Sequence, residues 1–206
     1  MTKNIFIIIG YNSKNLYGSN NDIKIVYDLF KKYNCIKIII LEFDKVTLNN
    51  IIFHSNKFKG LNNLIIYFSG NGTITGKIEL FNSFITIDDI CLNLKYYIDN
   101  LILILDCCFS QKFIYLNKYK NINCIKLYSS CSTNQKSKEV LMKINNNYKI
   151  HGIFTYYFCK LINHKKLYNI DKWEEIIDND IWFIIDKKFN QKFSYNKYFL
   201  NVINNE

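Results

Sequence analysis

Residues 64–73 read Leu64-Ile65-Ile66-Tyr67-Phe68-Ser69-Gly70-Asn71-Gly72-Thr73. An unbroken apolar run gives way to a small, glycine-rich turn. A run this short, bounded by turn residues, predicts a strand buried on both faces. Similar, nearly all-apolar runs recur at Asn4–Ile9 before Gly10, at Ile36–Leu41, at Leu101–Leu105 before Asp106-Cys107-Cys108-Phe109-Ser110, and at Cys124–Tyr128. Helical patterns lie between these runs. Asp22 starts one that extends through Tyr33, with Ile23, Val26, Tyr27 and Phe30 on one face. Others cover Thr47–Phe58, Asp88 to Tyr97, Gly152–Asn163, and Asp171 to about Lys188. Lys77–Ile87 alternates weakly, as a small hairpin would, and Tyr198–Ile203 is a last strand or a tail. Asn145-Asn146-Asn147 is a loop rather than a domain boundary. Strands alternating with helices, without repeat or linker, predict one α/β domain over residues 1–206. Its sheet is mostly parallel, with helices on both faces.

Composition narrows the function. The chain has 206 residues, 27 basic and 17 acidic, for a net charge of +10. All the basic residues are Lys, and Ala, Arg and Pro are absent. Scattered Lys without Arg gives no bidentate contacts to bases or phosphates, so dedicated nucleic-acid binding is not expected. The longest apolar stretch, Ile5 to Tyr11, is far below the ~18 residues of a membrane span, and the start of the chain lacks secretory-signal features. The seven Cys are odd in number and form no CxxC, which points to reduced thiols in an intracellular, cytoplasmic setting. His54, His151 and His164 show no metal-ligand spacing with them, so neither a metal nor a cofactor is expected. A monomer is the default oligomeric state.

In an open α/β sheet, chemistry gathers at the carboxyl ends of the strands. Three loops there stand out: Leu16-Tyr17-Gly18-Ser19-Asn20-Asn21-Asp22, Ser69-Gly70-Asn71-Gly72, and Asp106-Cys107-Cys108-Phe109-Ser110. In this order they resemble the caspase and metacaspase superfamily of cysteine peptidases. Its first loop carries L-x-G-x-x-N-D, its third strand ends Y-S-G-H-G and its fourth ends D-x-C-x-S-G. Ser129-Ser130-Cys131-Ser132-Thr133-Asn134-Gln135 resembles the family's S-[GA]-C-x-x-x-Q. His151-Gly152-Ile153-Phe154-Thr155-Tyr156 resembles its G-x-F-T-Y helix start. The resemblance implies a three-layer caspase-like fold. It also implies Cys108 as the nucleophile, Gly72 as an oxyanion amide, and Asp22 with Asp106 as readers of a basic P1 side chain. The implied partner is a peptide or protein with an exposed Lys or Arg. A strand-end turn before a helix would also lower the Cys108 pKa. Taken alone, Asp22 reads rather as a helix cap and Asp106 as a strand-end turn; their paired match to the family reverses that.

One departure dominates. Where the family has its catalytic His, this chain has Asn71. A carboxamide neither takes nor returns a proton near neutral pH. The leading expectation is therefore a catalytically impaired pseudopeptidase that keeps a cleft for a basic side chain. The alternative is an active endopeptidase cutting after Lys or Arg, with His151 as an unusual base; the other reading of His151 is a loop or capping residue. A nucleotide-binding protein using Gly70-Asn71-Gly72 as a phosphate loop is disfavoured, because the loop has no Lys. Thr73–Thr86 contains one acid, Glu79, too few for a calcium site. Only 13 residues separate Ser110 from Cys124, short for a cleavable linker.

Overall fold

The computed structural model describes residues 2–12, 16–112, 119–144, 147–176 and 186–200. Its centre is a six-stranded sheet in the order β10-β7-β6-β3-β1-β2. The strands are β1 (Asn4–Gly10), β2 (Lys37–Glu42), β3 (Leu61–Ser69), β6 (Ile98–Asp106), β7 (Ile122–Ser129) and β10 (Ser194–Phe199). All pairings are parallel except β10 with β7. The interior strands are mostly apolar because both faces are covered. Ile5, Ile7 and Ile9 point into one core with Leu64, Ile66, Leu101 and Leu103. Phe6 and Ile8 point into the other with Ile65, Tyr67, Ile102 and Ile104. This two-residue alternation divides every strand between two layers.

Helices α2 (Leu48–Ser55) and α3 (Ile87–Leu92) cover the first core through Ile51, Ile87 and Ile90. Helices α1 (Ser19–Phe30) and α4 (Ile153–Lys165) cover the second through Ile23, Val26, Phe30, Phe154 and Phe158. Trp173 is fully buried there, stacks on Phe30, and donates its Nε1–H to Tyr33 Oη at 2.7 Å. At the amino end of the sheet, the register aligns Asn4, Asn63 and Asn100. Their amides bond in sequence at 2.8 and 2.9 Å, which satisfies polar groups that the sheet half-buries. Among the described residues, no helix is long and apolar enough to cross a membrane.

Several elements differ from the sequence expectation. Helix α1 begins at Ser19, so Asp22 lies inside its first turn and caps nothing. Helix α3 ends at Leu92 rather than Tyr97, where Asn93 folds its amide back onto Asp89 O. Its start is a Thr86/Asp89 capping box. The expected Asp171–Lys188 helix starts as a 3₁₀ segment over Ile170–Ile176, residues 177–185 lie outside the described ones, and residues 186–189 are helical. The last strand is shifted to Ser194–Phe199. The expected 77–87 hairpin forms as β4 (Ile78–Leu80) and β5 (Ser83–Ile85). A second hairpin has no counterpart in the sequence pattern: β8 (Glu139–Ile144) pairs with β9 (Asn147–Gly152) around the Asn-rich turn, of which Asn145 and Asn146 lie outside the described residues.

Candidate active site

Strands β3 and β6 are parallel neighbours, and Ser69 is the register partner of Asp106. Asn71 and Cys108 each follow two residues later, so both emerge at the same edge of the sheet. The chain then turns sharply, with Phe109 in the left-handed region at φ +57°. Ser129–Gln135 braces this turn. Ser130 Oγ donates to Cys107 O at 3.1 Å, Cys131 N to Ser110 Oγ at 3.1 Å, and Phe109 N to Gln135 O at 2.9 Å. Cys107 is buried, whereas Cys108 is half-buried and reaches the surface recess. All seven cysteines are free thiols.

The thiol is not activated as the sequence predicts. Burial pushes the Cys108 pKa up, and this outweighs the favourable Ser137 amide and the Lys136 charge. Among the described residues, a 3₁₀ turn at Ser110–Lys112 rather than a regular helix follows Cys108, so the expected dipole is weak there. Beyond the end of the neighbouring strand, the Asn71 amide donates Nδ2–H to Glu79 Oε2 at 2.7 Å, and Asn71 is not among the residues that line the recess. Gly72 pairs with Ile78 in an antiparallel bridge.

Asp22 and Asp106 are buried, and both line the recess with Cys108. The start of α4 holds them. Asp22 accepts from Gly152 N at 3.1 Å and Ser69 Oγ at 3.1 Å, and lies 2.9 Å from His151 Nδ1. Asp106 accepts from Thr155 N at 3.1 Å, Thr155 Oγ1 at 2.7 Å and Ser137 Oγ at 2.7 Å. Amides at a helix start favour such anions. Burial nonetheless raises Asp22 to about 7, with the Asp106 charge adding to the rise and His151 opposing it. Burial raises Asp106 too, against its hydrogen bonds to Ser137 and Thr155. Gly152 is required here, because a Cβ would overlap Asp106 Oδ2.

Sequence reasoning missed Glu139. Its carboxylate accepts from Gly18 N at 2.7 Å and Tyr17 N at 3.2 Å, joining β8 to the start of α1, and it lines the recess. Its only signal in the sequence is being the one acid in Lys136–Lys143. The recess measures about 20 Å³, room for one water-sized group. His151 is neither a loop nor a capping residue. It sits in β9, completely buried behind Asp22 and off the recess wall, and its Nε2 has no hydrogen-bond partner among the described residues. His54 is in α2, and His164 is in the last turn of α4. Among the described residues, no cluster of three His, Cys, Asp or Glu side chains is arranged to hold a metal.

The half-buried Cys108 thiol thus stands at a strand end on a three-layer α/β fold and lines a small recess with Asp22, Asp106 and Glu139. The chain belongs to the caspase-domain family, Peptidase C14, whose model matches residues 3–179. It is similar in fold to the crystal structure of protein GSU0716 from Geobacter sulfurreducens, with a TM-score of 0.65 at 13% identity, over 95% of this chain and 92% of that one. No curated protein sequence matches it significantly.

Proposed function

We propose that this caspase-fold domain has lost, or nearly lost, peptidase chemistry, and that it binds peptides through a recess for a Lys or Arg side chain. The observation that supports the reading is Asn71, which stands where the family resemblance implies the proton-carrying His and whose amide is bonded to Glu79. A group that neither takes nor gives a proton costs roughly 10²–10⁴ in rate. The half-buried Cys108, its pKa raised, is overwhelmingly thiol at neutral pH. Asp22, Asp106 and Glu139 supply an acidic environment beside it. A side chain entering this water-sized recess must displace the Glu139 or Ser137 side chain. The alternative, an active endopeptidase cutting after Lys or Arg with His151 as its base, is not favoured by a histidine lying behind Asp22.

Two assays on the parent chain test this. Hydrolysis of Lys and Arg peptide substrates is expected at the buffer rate, and turnover in large excess of that rate overturns the silencing. A Lys-terminated peptide aldehyde is expected to bind saturably and more weakly to Asp106→Ala. Equal affinity for variant and parent removes the recess from the account.

A further inference from the structure

We propose that Glu79 is the positioning residue of this site. Its carboxylate fixes the side chain at position 71 and occupies the third place of a Cys–His–acid triad, whose outer members the chain keeps and whose central imidazole it lacks. The hydrogen bond from Asn71 Nδ2 to Glu79 Oε2 is 2.7 Å, short and charge-assisted. Backbone pairing makes this contact an outcome of the fold. Glu79 N donates to Asn71 O at 3.0 Å, Thr73 N donates to Lys77 O at 2.8 Å, and Gly72 bridges Ile78 between them. Asn71 and Glu79 are thus cross-strand neighbours with side chains on one face.

The geometry transfers to an imidazole. Asn Nδ2 and His Nδ1 are both bonded to Cγ, so an imidazole in the same rotamer places Nδ1–H on Glu79 Oε2. A carboxylate on Nδ1 fixes the tautomer with Nε2 unprotonated, the form that accepts a proton. The cations on and against the hairpin are Lys77 and Lys112, the latter bonded through Nζ to Ile74 O at 3.3 Å. Both oppose imidazole protonation, and both are constant across the variants compared below. The catalytic part of this inference rests on the proposed loss of the proton carrier; the positioning part does not.

The test compares Asn71→His with Asn71→His/Glu79→Gln, using nitrogen-edited NMR of the new imidazole and turnover of a Lys peptide. With Glu79 present, the neutral ring is expected to be the Nδ1–H tautomer, with a pKa about one unit or more above that in the Glu79→Gln background. Turnover is expected to fall at least about tenfold on Glu79→Gln. Adding Glu79→Asp instead, which keeps the charge, is expected to retain part of the pKa difference and so separates positioning from misfolding. Equal pKa values and equal tautomer populations in the two backgrounds overturn the role of Glu79. Coupling without turnover supports the positioning and overturns the silenced-peptidase reading. Turnover without coupling does the reverse.

Discussion

Asp22 sits between a histidine and a glycine amide in the interior, and its burial carries a pH signature. Its pKa rises from an ordinary 3.8 to about 7 on folding, so the folded state binds the proton more tightly than the unfolded chain. That contribution to stability is complete below about pH 4 and is lost as the pH rises through about 7, with each tenfold gain in proton affinity worth ~1.4 kcal/mol. Asp22→Asn removes this titration. Denaturant unfolding from pH 4 to 8 is expected to show a shallower decline for Asp22→Asn than for the parent, and parallel profiles contradict the assignment. The residue types of this site were legible in order: Asp22, Asn71, Asp106 and Cys108 all reach one edge of the sheet. Their environments were not. The elevation of the Cys108 pKa and the withdrawal of His151 behind Asp22 depend on burial, which local sequence does not encode. Glu79 stood out only as a lone acid, too little for a calcium site, because its pairing with Asn71 is set by the return of the hairpin.

At the level of elements, α4 and β9 meet at Gly152, where the backbone approaches both buried carboxylates. Gly152→Ala places a methyl group on Asp106 Oδ2. It is expected to cost about 1–3 kcal/mol in denaturant unfolding and to weaken binding of the Lys-terminated peptide aldehyde. Unchanged stability and unchanged binding contradict the close approach. Strands β1, β3, β6 and β7 were legible because burial on both faces leaves nearly all-apolar runs between turns. The β8–β9 hairpin was not, since Glu139-Val140-Leu141-Met142-Lys143-Ile144 has no clean alternation and most of its described residues are not fully buried. Trp173 shows the opposite failure. Its neighbourhood has an apolar pattern, but Ile170–Ile176 is a 3₁₀ segment. Packing of the indole against Phe30 and Tyr33 prevails over helical propensity there.

Across the whole molecule, two cores share one sheet, and none of its six strands belongs to only one of them. Disturbance of either core is therefore expected to be felt by the entire fold. Ile51→Ala in one core and Phe158→Ala in the other are each expected to cost roughly 2–5 kcal/mol. Both are expected to displace one common unfolding transition in calorimetry, as a single cooperative domain requires. Two separable transitions contradict a single domain over residues 1–206.

The same architecture sets the central claim, that a caspase-fold scaffold carries its nucleophile, turn and acidic recess around a missing proton carrier. The direct measurement is hydrolysis of Lys and Arg peptide substrates by Asn71→His beside the parent. The account predicts a gain of roughly 10²–10⁴, abolished by adding Cys108→Ala and retained with Cys107→Ala, because the Cys107 side chain is buried beneath the turn. Parent activity equal to that of the variant, or no gain in a folded Asn71→His protein, contradicts it.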